Sequence, residues 1–359
     1  MFIFRYIKSR FRIIYHFLSL RRRNSFSRKK ALKLYNHIIY AKGRQIVNKK
    51  LRKKIKLYCK TTFGSSSYWP WLAVYTEIRG EFKYGWIPFD YLLYQIYPSI
   101  NPSRFTSISG NKTLDYRLFG DYCVEPLIII LNQLFFDSEF NLISKVQATE
   151  ILKNFNAEVV IKQDGGYSGK EVTFIESSQV ELDEYINKGG FVIQPKIDQY
   201  EAIGEIYPIS SNTLRVVTYM DSSNSVKVIT TALRFGSNGS RVDNASMGGR
   251  CVYVDQNGGI LTDAFVDKGV STEEKHPNTG KVYKDLIVPS ITELHNMCIK
   301  AHYKYPYAGI IAWDVIIDKT GKPFFVEWNA REPVIWYHDA IIGPIFNITD
   351  INKKMALQI

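Results

Sequence analysis

Between Glu158 and Asn329 the chain is a succession of strand-length runs rich in Val, Ile, Thr and aromatics, separated by turn residues. EVVIKQ and EVTFIES flank a glycine loop, and FVIQPKI follows them. TLRVVTYM and VKVITTALRF are set to pair across DSSNS, and RCVYVDQNGGILTDAFV turns at Asn257-Gly258-Gly259. GIIAWDVIID and PFFVEWN form a last hairpin about Lys319-Thr320-Gly321-Lys322. Repeated hairpins demand antiparallel sheets. Helical patterns over SKVQATEILKNF and residues 285–304, with a buried strand near 127–130, make the chain α+β. Residues 61–110, rich in aromatics and Pro, read as short helices and turns.

The N-terminal segment is of another kind. Residues 1–60 hold 20 Lys or Arg and no acid, whereas the other 299 residues carry 27 against 34, a net −7. Ile3, Ile7, Phe11, Ile14 and Leu18 share one helical face, and Arg5, Lys8, Arg12 and His16 another. Residues 21–30 (RRRNSFSRKK) read as a hinge and 31–60 as a second basic helix. Such a segment can lie on an anionic membrane surface or brace the body of the protein. No nucleic-acid module accompanies the charge, so no nucleic-acid partner is expected. The longest uncharged run near the start, Ile13 to Leu20, is too short to span a bilayer. The four cysteines are far apart and the six histidines form no ligand pair, which fits a reducing, cytoplasmic setting, peripheral on the inner membrane face if residues 1–60 bind lipid.

Three stretches carry chemistry. In VVIKQDGGYSGKEVTFIE, Lys162 ends a strand and Gly165, Gly166, Ser168 and Gly169 form a loop before the next. Glycines let backbone N–H groups turn towards an anion, and a lysine at the base adds charge. A plain hairpin with a glycine-rich turn is the alternative. The spacing is not that of a P-loop, and a strand follows where a P-loop needs a helix. In AWDVIIDKTGKPFFVEWNAR, Glu327 and Asn329 alternate along one strand, and Asp314 lies across the turn. Two carboxylates and an amide oxygen are hard ligands suited to Mg²⁺ that also holds phosphate; an ordinary solvated face is the alternative. Arg215, Arg234 and Asn244 lie between these stretches, and guanidinium forks match phosphate or carboxylate oxygens.

In this order, together with FVIQPKI, SNTLRVVTY and ALRFGSNGSRVDNASMGGR, the motifs resemble the ATP-grasp superfamily, and within it the sugar-transfer-associated proteins of bacterial surface-polysaccharide loci. These are similar to ribosomal-protein glutamate ligases. The resemblance runs from about residue 85 to 345. It implies an ATP-grasp fold, two α+β subdomains clamping ATP, with a basic helical extension over 1–60, an aromatic-rich subdomain over 61–157, a lid over 158–205 and a catalytic core over 206–359. It implies that Lys112 and Lys162 reach phosphate, that Gly165–Gly169 is a mobile lid loop, and that the backbone of Gln194, Pro195, Lys196 and Ile197 reads adenine. Glu201 would hold the ribose, with Asp198 the alternative. Asp314, Glu327 and Asn329 would hold Mg²⁺, and Arg215, Arg234 and Asn244 would lie near the γ-phosphate.

Two departures stand out. Trp328 replaces a small residue between the metal ligands, and Arg331-Glu332-Pro333 follows, which is expected to crowd or recharge the acceptor pocket. The implied activity is a carboxylate–amine ligase that passes through an acyl-phosphate, acting on a small carboxylate and an amine or sugar-linked acceptor in polysaccharide synthesis. A phosphotransferase acting on a hydroxyl is the alternative. The identities of acid and acceptor, and the oligomeric state, are not written in these motifs.

Overall fold

The computed structural model describes residues 2–166, 172–243, 248–266, 269–333 and 335–357, with side chains from Arg22 onward except Trp336. The chain divides into two compact units, residues 1–100 with 334–359, and residues 101–333.

The first unit is helical. Helix α1 spans Phe2–Lys42, α2 Lys49–Phe63 and α3 Trp69–Arg79. The hinge expected at 21–30 is absent: α1 runs unbroken through it, since those residues include no Gly or Pro to interrupt a helix. Ser27, Ala31, Tyr35 and Ile38 fall on one buried stripe, and Trp71 of α3 donates its indole N–H to Ser27 Oγ at 3.0 Å. The bend comes instead after Gly43, where φ is +61°. The carboxylate of Glu77 then accepts the N–H groups of Ile46 and Val47 at 3.0 and 2.8 Å, and Asn48 caps α2.

The second unit holds two antiparallel sheets. The smaller comprises β1 (Ile128–Leu131), β2 (Leu134–Phe136), β3 (Leu142–Ile143), β4 (Glu158–Gln163), β5 (Val172–Glu176) and β6 (Phe191–Pro195), in the order β3-β2-β1-β6-β4-β5. The helix Lys145–Phe155, begun by a Ser144/Gln147 capping box, buries Ala148 and Leu152 against Ile128, Ile130, Val159, Ile161 and Ile193. The sheet therefore takes three strands from each side of residue 157, and the composition change at 158 falls inside it.

The larger sheet comprises β7 (Leu214–Met220), β8 (Val226–Phe235), β9 (Arg250–Tyr253), β10 (Ala264–Val266), β11 (Ser271–Glu273), β12 (Ile310–Ile317) and β13 (Pro323–Asn329), in the order β11-β10-β9-β8-β7-β12-β13. The three hairpins read from sequence are present, β7 with β8, β9 with β10 and β12 with β13. The helix expected over 285–304 starts later, at Ile291, because Pro289 disfavours helix in the residue before it. Its residues Leu294, Met297, Cys298 and Ala301 join the core under β7 and β12.

Candidate active site

The register of three adjacent strands lays a row of charge across the larger sheet. Arg215 on β7 pairs with Asp314 on β12, and Asp314 pairs with Glu327 on β13. Directly opposed residues of antiparallel strands project to the same face. Beyond Asp314 the register slips: Val315 faces Phe325, and Val326 is left as a bulge. The bulge lets Phe325 and Trp328, three apart, both enter the core. Trp313 stacks on them with ring centroids at 4.6 and 6.0 Å. Glu327 and Asn329 are left on the opposite face. Trp328 is 1% exposed and turned away from that face, so it does not crowd an acceptor pocket as its position in the sequence suggested. Arg331 and Glu332 are exposed.

Lysines from the smaller sheet's side end on this strand. The Lys162 ammonium donates to the bulged Val326 carbonyl at 3.0 Å. The Lys112 ammonium lies 3.7 Å from Glu327 Oε1 and 3.4 Å from the Gly166 carbonyl. Burial, and then the charge of Lys112, lowers Lys162 to about 8. Gly165 adopts φ +72° and donates to the Gly110 carbonyl at 2.7 Å, anchoring the start of the glycine loop beside Lys112. Ser168 and Gly169 lie outside the described residues, as does Asn244.

Both arginines converge on Asp314. Arg215 Nε is 2.6 Å from Asp314 Oδ1, and an Arg234 terminal nitrogen is 3.1 Å from the same oxygen. Arg234 also lies 3.6 Å from Asp243, which accepts from the N–H and hydroxyl of Thr213 at 2.8 and 2.5 Å. Burial raises the Asp243 carboxyl against the pull of Arg234. The result is a chain of alternating charge, Asp243–Arg234–Asp314–Arg215, on one face of β7, β8 and β12.

The residues expected to hold a cation lie on neighbouring strands. The Asn329 side-chain nitrogen is buried without a partner among the described residues, a donor the fold leaves unused. Glu327 is partly exposed, its one described partner being Lys112. Asp314, opposite Glu327, supplies a second carboxylate. Among the described residues no cluster of three His, Cys, Asp or Glu occurs, and this set does not require one, since two carboxylates and an amide suit Mg²⁺ that shares substrate phosphate.

Along β6 the ladder to β1 ends at Ile193, with Leu127 N–H donating to its carbonyl, while pairing to β4 continues to Pro195 and Lys196 N–H reaches the Glu158 carbonyl. Among the described residues the β1 side of residues 195–197 has no strand partner, the edge expected to read adenine. Gln194 is buried, its amide donating to the Val124 carbonyl at 2.7 Å, a structural use of that side chain. Glu201 is exposed at the head of a four-residue helix; Asp198 is exposed and pairs with Lys319 at 3.2 Å.

Sequence reading overlooked Asp115, Asp164 and Asp243. Trp328 donates its indole N–H to Asp115 at 2.8 Å, and burial pushes that carboxyl up to about 7 against the pull of this bond and of Lys112 and Lys162. Asp164 accepts from the N–H and hydroxyl of Thr113 at 3.0 and 2.8 Å, tying the lysine turn to the glycine loop. The one available hint was position: Asp115 follows Lys112 by three residues, and Asp243 immediately precedes Asn244.

Two antiparallel sheets, with Lys162 of the smaller and Lys112 of a nearby helical turn reaching the acidic strand of the larger, are the arrangement expected from the resemblance to ATP-grasp proteins. The profile of the sugar-transfer associated ATP-grasp family matches residues 93–343, and the chain belongs to that family. Among solved structures, the chain is similar to the ATP-grasp ligase PsnB bound to a minimal precursor, with 13% identity, TM-score 0.41, 72% of this chain and 62% of that one covered. The D-cycloserine synthetase DcsG is 12% identical at TM-score 0.41, with 72% of each chain covered. An L-amino acid ligase from Bacillus licheniformis is 16% identical at TM-score 0.35, with 64% and 42% covered. The chain thus spans less than two thirds of PsnB, and the family match alone carries the assignment. No curated protein sequence matches.

Proposed function

We propose that this chain is an ATP-dependent ligase that activates a small carboxylate as an acyl-phosphate and transfers the acyl group to an amine, the acceptor being sugar-linked and the product part of bacterial surface polysaccharide. The observation that supports it most is the meeting of Lys112 and Lys162 with the Glu327 strand, where cations for phosphate and oxygen ligands for a cation lie within one site. The polysaccharide setting has only the family's association with sugar transfer behind it.

Asp314, Glu327 and Asn329 would hold Mg²⁺. When bound, the ion neutralises phosphate charge and fixes the phosphate oxygens. The remaining work falls to the chain's own residues. Lys112 and Lys162 bind phosphate oxygens, and Lys162, lowered to about 8, is charged at neutral pH. Arg215 and Arg234 orient the transferring phosphoryl group, a role the family resemblance extends to Asn244. Both are already held by carboxylates, so their forks are preorganised. The glycine loop that Gly165 and Gly166 begin is assigned to covering the phosphates and excluding water. The free edge at 195–197 takes the adenine and Glu201 the ribose.

In the reaction the substrate carboxylate supplies the electron pair to the γ-phosphorus, and the bond to the bridging oxygen breaks with loss of ADP. The amine then attacks the acyl carbon and inorganic phosphate leaves. No side-chain nucleophile is called for. Purified protein should release ADP only when a carboxylate substrate is present, and hydroxylamine should trap the acyl-phosphate as a hydroxamate in step with ADP. ADP release coupled to phosphorylation of a hydroxyl, with no hydroxamate from any acid, would replace the ligase with a phosphotransferase.

A further inference from the structure

The division of the chain into two units sharpens the charge asymmetry of the sequence. Residues 1–100 with 334–359 carry 24 Lys or Arg against 5 Asp or Glu, a net +19, while residues 101–333 carry 23 against 29, a net −6. Three of the five acids are withdrawn from the surface: Glu77 and Asp339 are 1% exposed and Asp90 is 0% exposed. Glu77 holds backbone N–H groups and Asp90 faces Arg28 at 3.5 Å. Only Glu81 and Asp350 remain outside the core of this unit.

The cations are arranged in stripes. On α1, the exposed residues Arg22, Phe26, Lys29, Lys33 and Tyr40 fall within roughly 60° of one another at helical periodicity. Phe26 is 71% and Tyr40 88% exposed. On α2, the exposed Lys49, Lys53, Lys56 and Lys60 fall within a similar arc, with Leu57, 62% exposed, at its border. None of these lysines has an acidic partner among the described residues. Lys56 lies 5.4 Å from the Trp69 ring centroid, and the others are open.

From this we infer that the helical unit is a peripheral docking surface for an anionic lipid bilayer, with its basic stripes on the headgroups and Phe26, Tyr40 and Leu57 at the acyl boundary. The inference is independent of the ligase reading. Two observations favour lipid over nucleic acid. The exposed apolar residues include an aliphatic side chain, which gains from an acyl boundary and not from stacking on a base. Helix α1 continues to Phe2 through a segment that has twelve Phe, Ile, Leu or Tyr among residues 2–20 and no acid, the composition of an interfacial helix. No described helix is long and apolar enough to cross a membrane, so the attachment inferred is at the surface.

The test is co-sedimentation of the full chain with vesicles of phosphatidylcholine alone or mixed with phosphatidylserine, at low and high salt. Binding should require phosphatidylserine and weaken with salt. Replacing Lys29, Lys33, Lys49 and Lys53 by Gln should lower affinity at least a hundredfold, since each charge near such a surface is worth about fivefold. Phe26→Ser with Tyr40→Ser should weaken the part of binding that survives high salt. Thermal unfolding of each variant checks that these exposed substitutions leave the fold intact. Full-length protein that ignores phosphatidylserine vesicles at low salt overturns the inference. So does capture by a nucleic-acid oligomer that the vesicles cannot displace.

Discussion

Lys162 sits where burial, a neighbouring lysine and a bulged carbonyl meet. Its lowered value of about 8 has a direct consequence for binding. The protonated form binds phosphate, so nucleotide affinity should fall as pH rises through about 8, and Lys162→Arg, which stays charged, should remove that fall. An unchanged pH profile in the Arg variant, followed by calorimetry, would deny Lys162 the role. Trp328 makes a second residue-scale case. Its indole is a core group whose N–H satisfies the buried Asp115. Trp328→Phe should therefore cost stability, about 1–3 kcal/mol for the carboxyl left without its donor. It should leave the acceptor specificity unchanged. A change in substrate preference at constant unfolding midpoint would place the side chain in the pocket after all. The residue types at 314, 327 and 329 were legible because alternation is a local property. The bulge at Val326 was not, since one extra residue leaves no mark in composition; strict alternation would have put Phe325 beside Glu327. Asp115 was equally hidden, because its partner is 213 residues away.

At the scale of elements, the hairpins could be read because each closes through a short local turn, whereas the order of strands within a sheet depends on partners far along the chain. The ends of β12 and β13 are joined by one such distant group. Asn101 donates to the carbonyls of Ile310 and Ala330 at 2.6 and 2.5 Å and accepts from the N–H groups of Gly309 and Ile310 at 3.1 and 2.9 Å. Asn101→Ala strands buried donors and acceptors together, and should cost about 3 kcal/mol in urea unfolding; a loss under about 1 kcal/mol would show that water takes its place. In the helical unit, burial lifts Asp339 to about 8, although its carboxylate accepts the Ile345 N–H at 3.0 Å. The folded chain thus keeps a proton that the unfolded chain releases near pH 4. More protons bound in the folded state means that stability falls as pH rises from about 4 to about 8. Asp339→Asn keeps the acceptor and should flatten that slope in urea midpoints measured across the range. Part of the slope should remain with Asp90, lifted by burial to about 7. An identical slope in the variant would mean that Asp339 is ionised in the fold.

For the molecule as a whole, sequence and structure agree on a basic helical segment and an α+β body, and the family match spans most of that body. The helix break was misplaced because charge runs look like linkers, while a continuous buried stripe from Ser27 to Ile38 decides the matter by packing. In the proposed site Lys162 of the smaller sheet and Glu327 of the larger serve one Mg²⁺-nucleotide. Calorimetric titration of ATP in the presence of Mg²⁺ into the wild type, Lys162→Ala, Glu327→Gln and the double variant tests it most directly. Lys162→Ala should weaken binding by roughly 1.5–3 kcal/mol, because it removes a charge-assisted hydrogen bond to phosphate. If both residues serve one bound nucleotide, the effects of the two substitutions should not add, with an interaction energy of at least about 0.5 kcal/mol. Wild-type protein that binds no ATP, or a Lys162→Ala variant that is folded and binds it as tightly as the wild type, would contradict the account.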